Sequence, residues 1–261
     1  VELGLCASRA LAQRLIGAGE VSVNGMVVDK PGTEIDIAAE VELKERSRFV
    51  SRGGEKLAKA LQVFDISVDG RICLDGGIST GGFTDCLLQA GAKLVYGIDV
   101  GYGQVDWKLR NDPRVILRER TNLRHLTPEE LYDDLVSEYA DLIVVDVSFI
   151  SLTKVLAALW QLSQPPREAI LLVKPQFEVG KNRVGKKGVV RDPDDHADAI
   201  FQVLQTAQQL GWCYQGLTWS PVTGPAGNIE YLLWLGMKSE LTINLEAIAE
   251  VTKSAANNFN K

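Results

Sequence analysis

The segment Ile72-Cys73-Leu74-Asp75-Gly76-Gly77-Ile78-Ser79-Thr80-Gly81-Gly82-Phe83 sets an apolar run, a carboxylate, a glycine turn and a helix start in direct succession. That order puts a turn at the carboxyl end of a strand, where parallel sheets bind ligands. Gly77 and Gly81 let the backbone approach a ligand closely, and Asp75 stands at the strand tip. Asp99, 24 residues further on, ends the next apolar run, where a carboxylate can accept both ribose hydroxyls of an adenosine cofactor. The dinucleotide fingerprint GxGxxG is absent, since Ser79 stands where its second glycine is needed. An acid before the glycines also suits a pyrophosphate poorly. It suits the cationic, phosphate-free S-adenosylmethionine (SAM).

Two other motifs overlap this chemistry. Gly77-Ile78-Ser79-Thr80-Gly81 spells GxSxG, the nucleophile elbow of a serine hydrolase. Its histidine would have to be His196, which sits among Asp194, Asp195 and Asp198 at a helix start. A hydrolase needs that histidine on a loop after the last core strand, so the triad reading is disfavoured. Gly180-Lys181-Asn182-Arg183-Val184-Gly185-Lys186 fits a P-loop up to its final Ser/Thr, which is Lys187 here. The following Gly188-Val189-Val190-Arg191-Asp192-Pro193 cannot open the helix a P-loop requires.

The elements that must hold these residues follow from periodicity. Short apolar runs at Ile72–Leu74, Leu94–Val100, Val115–Leu117, Leu142–Val147, Ile170–Val173 and Leu232–Leu235 alternate with helical stretches near 82–90, 128–138, 152–162 and 195–210. Nearly continuous apolar strands separated by helices predict a parallel sheet covered on both faces. Cys213 to Val222 and Glu230 to Met237 are joined by a Gly/Pro loop and no helix, which predicts an antiparallel hairpin at one end of the sheet. Ahead of all this, Ala7 to Gly17 reads as a helix capped by Ser8, followed by short strands around an Asn24-Gly25 turn and at Val41-Glu42-Leu43. The expected organisation is a small α+β unit over 1–47, a linker over 48–54 and a Rossmann-like α/β domain over 55–261. The chain opens on Val1 almost directly into a helix, which predicts an N-terminally trimmed small domain.

Composition narrows the class. At 46% hydrophobic and 24% charged, the chain is an ordinary globular one. No apolar run approaches the roughly 20 residues needed to span a bilayer. Four cysteines form no CxxC pair and only two histidines are present, so no metal site is expected, and reduced thiols in the cytoplasm are. A net charge of −6 argues against uniform coating for nucleic acid. Three basic blocks stand out nonetheless: 44–59 and 107–125 each carry six Lys/Arg against two acids, and 167–191 carries seven against two. Singly such runs are solvated faces, but together they could track phosphates.

Leu74-Asp75 with Ser79-Thr80-Gly81-Gly82-Phe83-Thr84-Asp85, Asp99-Val100-Gly101-Tyr102-Gly103-Gln104, and Phe49-Val50-Ser51-Arg52-Gly53-Gly54-Glu55-Lys56-Leu57 resemble the TlyA (hemolysin A) family. So do Glu119-Arg120-Thr121-Asn122, Val145-Asp146-Val147-Ser148-Phe149-Ile150-Ser151 and Leu172-Val173-Lys174-Pro175-Gln176-Phe177-Glu178. The resemblance runs over essentially the whole chain. It implies an RNA-binding domain of the ribosomal-protein S-four type joined to an FtsJ-like SAM-dependent methyltransferase acting on cytidine ribose 2′-hydroxyls of ribosomal RNA. It implies a catalytic set of Lys56, Asp146, Lys174 and Glu230, all near the ligand-binding edge of the sheet. In that set Lys174, as a neutral amine, would take the hydroxyl proton, with Lys56 a nearby cation and Asp146 and Glu230 orienting the two amines. Cofactor contacts would come from Asp75, Gly77, Ser79, Thr80 and Gly81, from Gly82, Phe83, Asp99 and Asn122, and from Asp146. The family's usual Val-Gly-Ala is replaced by Gly76-Gly77-Ile78 here, which places Ile78 beside the expected methionine moiety.

Other methyl-transfer chemistries fit less well. No Cys-Pro pair supplies a nucleophile for a pyrimidine carbon, and Asp146-Val147-Ser148-Phe149 lacks the two prolines of exocyclic-amine methylation. In the amino-terminal unit Arg9, Arg14, Asn24 and Lys30 are expected to contact folded RNA, joined by Arg52 of the connecting segment; such domains read shape more than sequence. The partner is then ribosomal RNA or a ribosomal subunit, not a membrane. A non-catalytic RNA-binding protein with a degenerate SAM pocket and a membrane-active haemolysin are the alternatives.

Overall fold

The computed structural model of the chain describes residues 1–44, 48–132 and 138–259. The chain divides into two compact units, Val1–Ser47 and Arg48–Lys261. In the smaller one, helix α1 (Arg9–Gly17) begins where the Ser8 hydroxyl accepts the Leu11 N–H, and it turns Leu15 inward. Strands β1 (Val21–Val23) and β2 (Met26–Val27) form a hairpin. Its turn residues, Asn24 and Gly25, have φ of +49° and +76°, the left-handed pair that a type I′ turn requires. Strand β3 (Val41–Leu43) pairs antiparallel with β1 on its other side.

The larger unit runs α2 (Gly53–Val63), β4 (Ile72–Gly76), α3 (Gly82–Gln89), β5 (Leu94–Ile98), α4 (Trp107–Arg110), β6 (Val115–Arg118) and α5 (Pro128–Leu131). It continues with β7 (Ala140–Val145), α6 (Leu156–Gln161), β8 (Ser163–Val173), α7 (Pro175–Glu178), α8 (Pro193–Gln209), β9 (Cys213–Trp219), β10 (Tyr231–Gly236) and α9 (Leu245–Phe259). Among the described residues these strands form one seven-stranded sheet in the order β6-β5-β4-β7-β8-β10-β9. Strand β10 runs antiparallel to both its neighbours and every other pairing is parallel, as the hairpin at the end of the chain predicts. From β4 the chain builds outward through β5 and β6, then returns to add β7 and β8 on the other side. The β4/β7 boundary is therefore the point where the winding reverses, and a crevice opens there at the carboxyl ends of the strands.

Alternation within strands feeds two cores. Ile143, Val145, Leu171 and Leu233 point into a core with α6, α8 and α9. Leu142, Val144, Ile170, Leu172 and Leu232 point the opposite way, toward α2 and α3. The period of 2 is what sends them to opposite faces. At the far edge of the sheet from the crevice, Arg71 ties three strands. Its Nε lies 2.6 Å from Asp141 on β7 and its Nη1 2.5 Å from Glu168 on β8, whose other oxygen accepts Trp234 Nε1 at 3.2 Å.

Four expectations change. Residues 48–54 are not a free linker: Phe49 is 3% exposed and Gly53 already opens α2. The fit depends on Gly54, where a Cβ would fall 2.1 Å from the Phe49 ring. The helix expected over 152–162 is a 3₁₀ turn, Leu152–Lys154, followed by α6. The strand expected from Ile170 already begins at Ser163. Of the helix expected over 128–138, α5 is present, and 133–137 lie outside the described residues. Helix α9 is not among the expected elements.

Candidate active site

The glycine turn after β4 is built around Gly77. Its φ is +88°, and a Cβ there would stand 2.5 Å from the Asp146 carbonyl oxygen at the tip of β7. No side chain larger than hydrogen fits, so the two strand tips at the winding reversal touch through backbone. Ser79 follows with φ of +51° and directs its N–H at Asp99 Oδ2, 2.8 Å away. The other Asp99 oxygen accepts Gly101 N–H at 2.7 Å. Each carboxylate oxygen thus holds one donor and retains a lone pair for a ligand hydroxyl. Gly81 caps α3 in left-handed conformation, and Gly82 packs within close reach of Gly53 and Gly54 on α2.

Two adjoining cavities share Gly77, Ser79 and Asp146. The larger, about 470 Å³, runs past Asp99, Gln104 and Asn122 against an apolar wall of Ile98, Val100, Leu123, Val147 and Ile150. That volume and lining suit a small molecule with a flat apolar ring and a polar sugar. The smaller, about 200 Å³, is lined by Thr80, Gly82 and Phe83 at the α3 N-terminus, by Lys56 and Arg52 on the α2 side, and by Pro225. First-turn N–H groups of a helix have no partner within the helix and favour a carboxylate. The crevice as a whole can hold an adenosine at Asp99 and an amino-acid end near Gly82.

Asp75 behaves differently from the expectation. It is fully buried and lines neither cavity. Thr84 Oγ1 donates to its Oδ2 at 2.7 Å, while Oδ1 has no hydrogen-bond partner. Burial, with the nearby charges of Asp146 and Asp99 adding to it, pushes its carboxyl up to about 7. Three carboxylates around one glycine turn make a site that favours a cation, which is the charge of a sulfonium. Ile78 borders the smaller cavity, as expected, but presents little of its bulk to it. It is 3% exposed, and its Cδ1 fills the space that Gly97 leaves open, so most of its bulk lies in the core between β4 and β5.

Lys56, Asp146, Lys174 and Glu230 form two ion pairs. Lys56 Nζ lies 2.6 Å from Glu230 Oε2, with the two residues 8% and 2% exposed. Lys174 Nζ lies 2.5 Å from Asp146 Oδ1 and donates to Ser148 Oγ at 2.8 Å. Lys56 and Asp146 line the same small cavity, so both pairs border it. The charge of Lys56 is offset by Glu230 rather than directed at Lys174. Gly224 makes room for the glutamate: a Cβ there would stand 2.7 Å from Glu230 Oε1. Glu178, one turn past Lys174, accepts Ser151 Oγ at 2.5 Å and Leu152 N–H at 2.8 Å. It ties the loop that carries Asp146 and Ser148 to the segment that carries Lys174, and burial pushes its carboxyl up.

In the smaller unit Arg9, Arg14 and Lys30 are exposed, while Asn24 uses its side-chain oxygen to accept Glu40 N–H at 2.9 Å. The hydrolase reading fails on geometry. His196 is buried, its Nε2 bonded to the Val190 carbonyl at 2.9 Å and its Nδ1 to the Tyr231 hydroxyl at 2.8 Å. No ring nitrogen is left for Ser79. The sequence reading missed Ser148, although its motif was in view, because only the fold brings it to Lys174. Phe149 is 92% exposed with φ of +64° and packs beside Phe177 at the cavity rim.

Comparison with known proteins agrees with this architecture. The family model for FtsJ-like methyltransferases matches residues 49–237, and that for the S4 domain matches residues 1–41. The chain is 47% identical over 257 residues to the 16S/23S rRNA (cytidine-2′-O)-methyltransferase TlyA of Mycobacterium tuberculosis, covering 98% of this chain and 94% of that one. It is 37% identical over 204 residues to the 23S rRNA (cytidine-2′-O)-methyltransferase TlyA of Campylobacter jejuni, covering 78% and 74%. A solved structure assigned as a hemolysin of Streptococcus thermophilus superposes with a TM-score of 0.78 at 42% identity, over 99% of this chain and 94% of that one. By full-length likeness and by both of its domains, the chain belongs to the TlyA family of FtsJ-like methyltransferases.

Proposed function

We propose that this chain transfers the methyl group of SAM to a ribose 2′-hydroxyl of ribosomal RNA, with cytidine as the target nucleoside, as in its relatives. The observation that carries the reading is the meeting of two Lys–carboxylate pairs, Lys56–Glu230 buried and Lys174–Asp146 partly so, with an adenosine-sized crevice at a shared residue, Asp146. SAM bound in that crevice supplies an electrophilic methyl on a cationic sulfur. Asp99 would hold the ribose hydroxyls, Asn122 and the apolar wall the base, and Gly77 with the α3 N-terminus the amino-acid end. Asp75 acts from behind the turn, through its field.

A ribose hydroxyl is a weak acid and a poor nucleophile, so its proton must leave as the oxygen attacks. Lys174 Nζ, held by Asp146 and Ser148, takes that proton in its amine form; those two contacts support the role. Lys56, locked on Glu230, orients the incoming ribose and its phosphate. Much of the rate comes from alignment, which contributes up to about 7–11 kcal/mol in favourable cases. Residues 1–47 dock on the RNA through Arg9, Arg14 and Lys30, with Asn24 shaping the hairpin turn, and the larger unit from Arg48 onward carries the chemistry. Among the described residues no helix is long and apolar enough to cross a membrane. A ribosomal subunit in the cytoplasm is the substrate this reading calls for.

The test is methylation of unmodified bacterial ribosomal subunits with methyl-labelled SAM, the product mapped by resistance to alkaline cleavage. Wild type should label a cytidine 2′-oxygen. Lys174→Met should lose at least 100-fold in kcat while binding SAM as tightly as wild type. A Lys174→Met protein that retains activity would remove lysine from the proton transfer. A wild type that binds RNA but neither binds SAM nor methylates would make the chain a non-catalytic RNA-binding relative.

A further inference from the structure

Several cations of the basic blocks seen in sequence are paired with acids in the fold. Arg110 is paired with Glu119, Arg114 with Asp112, Lys174 with Asp146, and Arg183 with both Asp195 and Asp198. One stretch differs in having no acid of its own. Between Val179 and Arg191 there is no acidic residue, and Lys181, Lys186, Lys187 and Arg191 are exposed with no ion pair among the described residues. Lys186 and Lys187 form the apex of a tight turn, closed by Gly188 N–H on the Gly185 carbonyl at 2.8 Å and Gly185 N–H on the Val189 carbonyl at 3.1 Å.

This stretch is anchored like a part of the site. It leaves the sheet directly after α7, the helix that follows Lys174. Its return is held by Asn228, two residues before Glu230 and 2% exposed. The Asn228 side chain accepts Val190 N–H at 3.0 Å and donates to the Gly188 carbonyl at 2.9 Å. Arg183 fastens the outgoing limb to α8, and Val179, Val184 and Val190 pack with Ala199 beneath it. Adjacent like charges on a rigid turn repel one another and gain nothing from the fold. A buried amide and two carboxylates are nonetheless committed to holding them out. The arrangement becomes favourable once a polyanion supplies the counter-charge.

We infer that the Lys186–Lys187 turn is a contact site for the RNA phosphate backbone beside the methylated nucleotide, a reading that rests on the function proposed above. The outgoing limb leaves from α7, which directly follows Lys174, and the return limb is held by Asn228, two residues before Glu230, so RNA whose ribose reaches Lys174 passes the turn at the same edge of the sheet. The contact is electrostatic and independent of base identity.

The test compares wild type with Lys186→Gln/Lys187→Gln, both surface changes, on unmodified ribosomal subunits across a series of KCl concentrations. Loss of two phosphate contacts should lower the slope of log affinity against log salt by about 1.4–1.8. At moderate salt KM for the subunit should rise about tenfold, with kcat at saturating RNA and SAM affinity unchanged. An unchanged slope in a variant that methylates like wild type overturns the site and leaves the proposed function standing. A wild type that fails to methylate but binds RNA with a slope the variant loses overturns the function and keeps the site. Binding of wild type to anionic vesicles, lost in the variant while RNA binding is not, overturns the RNA assignment.

Discussion

Replacing Gly77 with alanine tests the join between the two strand tips. Two costs can be worked from the geometry. With φ at +88°, a Cβ costs about 1–2 kcal/mol for the left-handed backbone alone. The added carbon would also stand 2.5 Å from the Asp146 carbonyl oxygen, 3.0 Å from its carbonyl carbon and 3.2 Å from Val147 Cγ1. The first two are backbone atoms that no rotamer change can move, and the Asp146 N–H is itself bonded to the Gly76 carbonyl at 2.9 Å. Overpacking of this kind costs about 1–3 kcal/mol, so Gly77→Ala should lose roughly 2–5 kcal/mol of stability. Gly70→Ala is the matched control, with φ of +72° and nothing within 4 Å of its Cβ. It should lose only the backbone cost, about 1–2 kcal/mol. Urea unfolding of both variants measures the difference, and calorimetry measures SAM binding. A displaced Asp146 should also weaken SAM at least tenfold in Gly77→Ala and not in Gly70→Ala. Equal destabilisation of the two variants, with SAM affinity untouched in both, would refute the contact between the strand tips.

Three further outcomes follow from buried charge. Asp75 titrates at about 7 in the folded chain, well above its ordinary value of 3.8, so the folded state keeps a proton that the unfolded state loses across that window. Stability should therefore fall as pH rises from about 4 to 7, and Asp75→Asn should remove that slope. The variant should match wild type near pH 4 and exceed it at pH 8, by on the order of 4 kcal/mol at most; urea midpoints at both pH values decide it. In a double-mutant cycle, Lys56→Met and Glu230→Gln should each cost about 3–5 kcal/mol, and the double variant less than their sum, because each single change strands a buried charge. Additive costs would mean that the pair is not coupled. Glu178→Gln, which weakens the tie to Ser151 and Leu152, should lower kcat about tenfold with SAM affinity unchanged, as loosened alignment requires; a drop in SAM affinity instead would place Glu178 in the cofactor cradle.

What the sequence disclosed was local. The Ser8 cap, the Asn24-Gly25 turn and the run from Ile72 to Phe83 each specify their structure within about a dozen residues, so their chemistry could be read directly. Nearly continuous apolar runs marked the strands because both faces of the sheet are covered. What stayed hidden depends on long-range packing. Burial of Asp75 needs α2 and α3 to close over the turn, and that approach depends on glycines at 53, 54 and 82. Lys56 and Glu230 are 174 positions apart, and nothing local says which amine meets which carboxylate. The linker reading failed for the same reason: Phe49 belongs to a core whose other buried members begin at Leu57 and run to Leu232. Counting charges left the pairing open, since a basic block in sequence says nothing about the acids that the fold brings to it.

Asp146 is where these separate constraints converge. Its carbonyl bounds the space left by Gly77, and its side chain holds Lys174. Its charge adds to the field that keeps Asp75 protonated near neutral pH, and it borders both cavities. A cation entering the crevice would favour the ionised form of Asp75, whose carboxyl burial pushes up to about 7. Binding of a sulfonium should then release a fraction of a proton at pH 7, whereas binding of the neutral demethylated product should release less. Calorimetry in two buffers of different ionisation enthalpy can read that difference. In the proposed reaction, the strand tip that holds Lys174 would thus favour the charged methyl donor over its spent form, in a crevice whose shape accepts both.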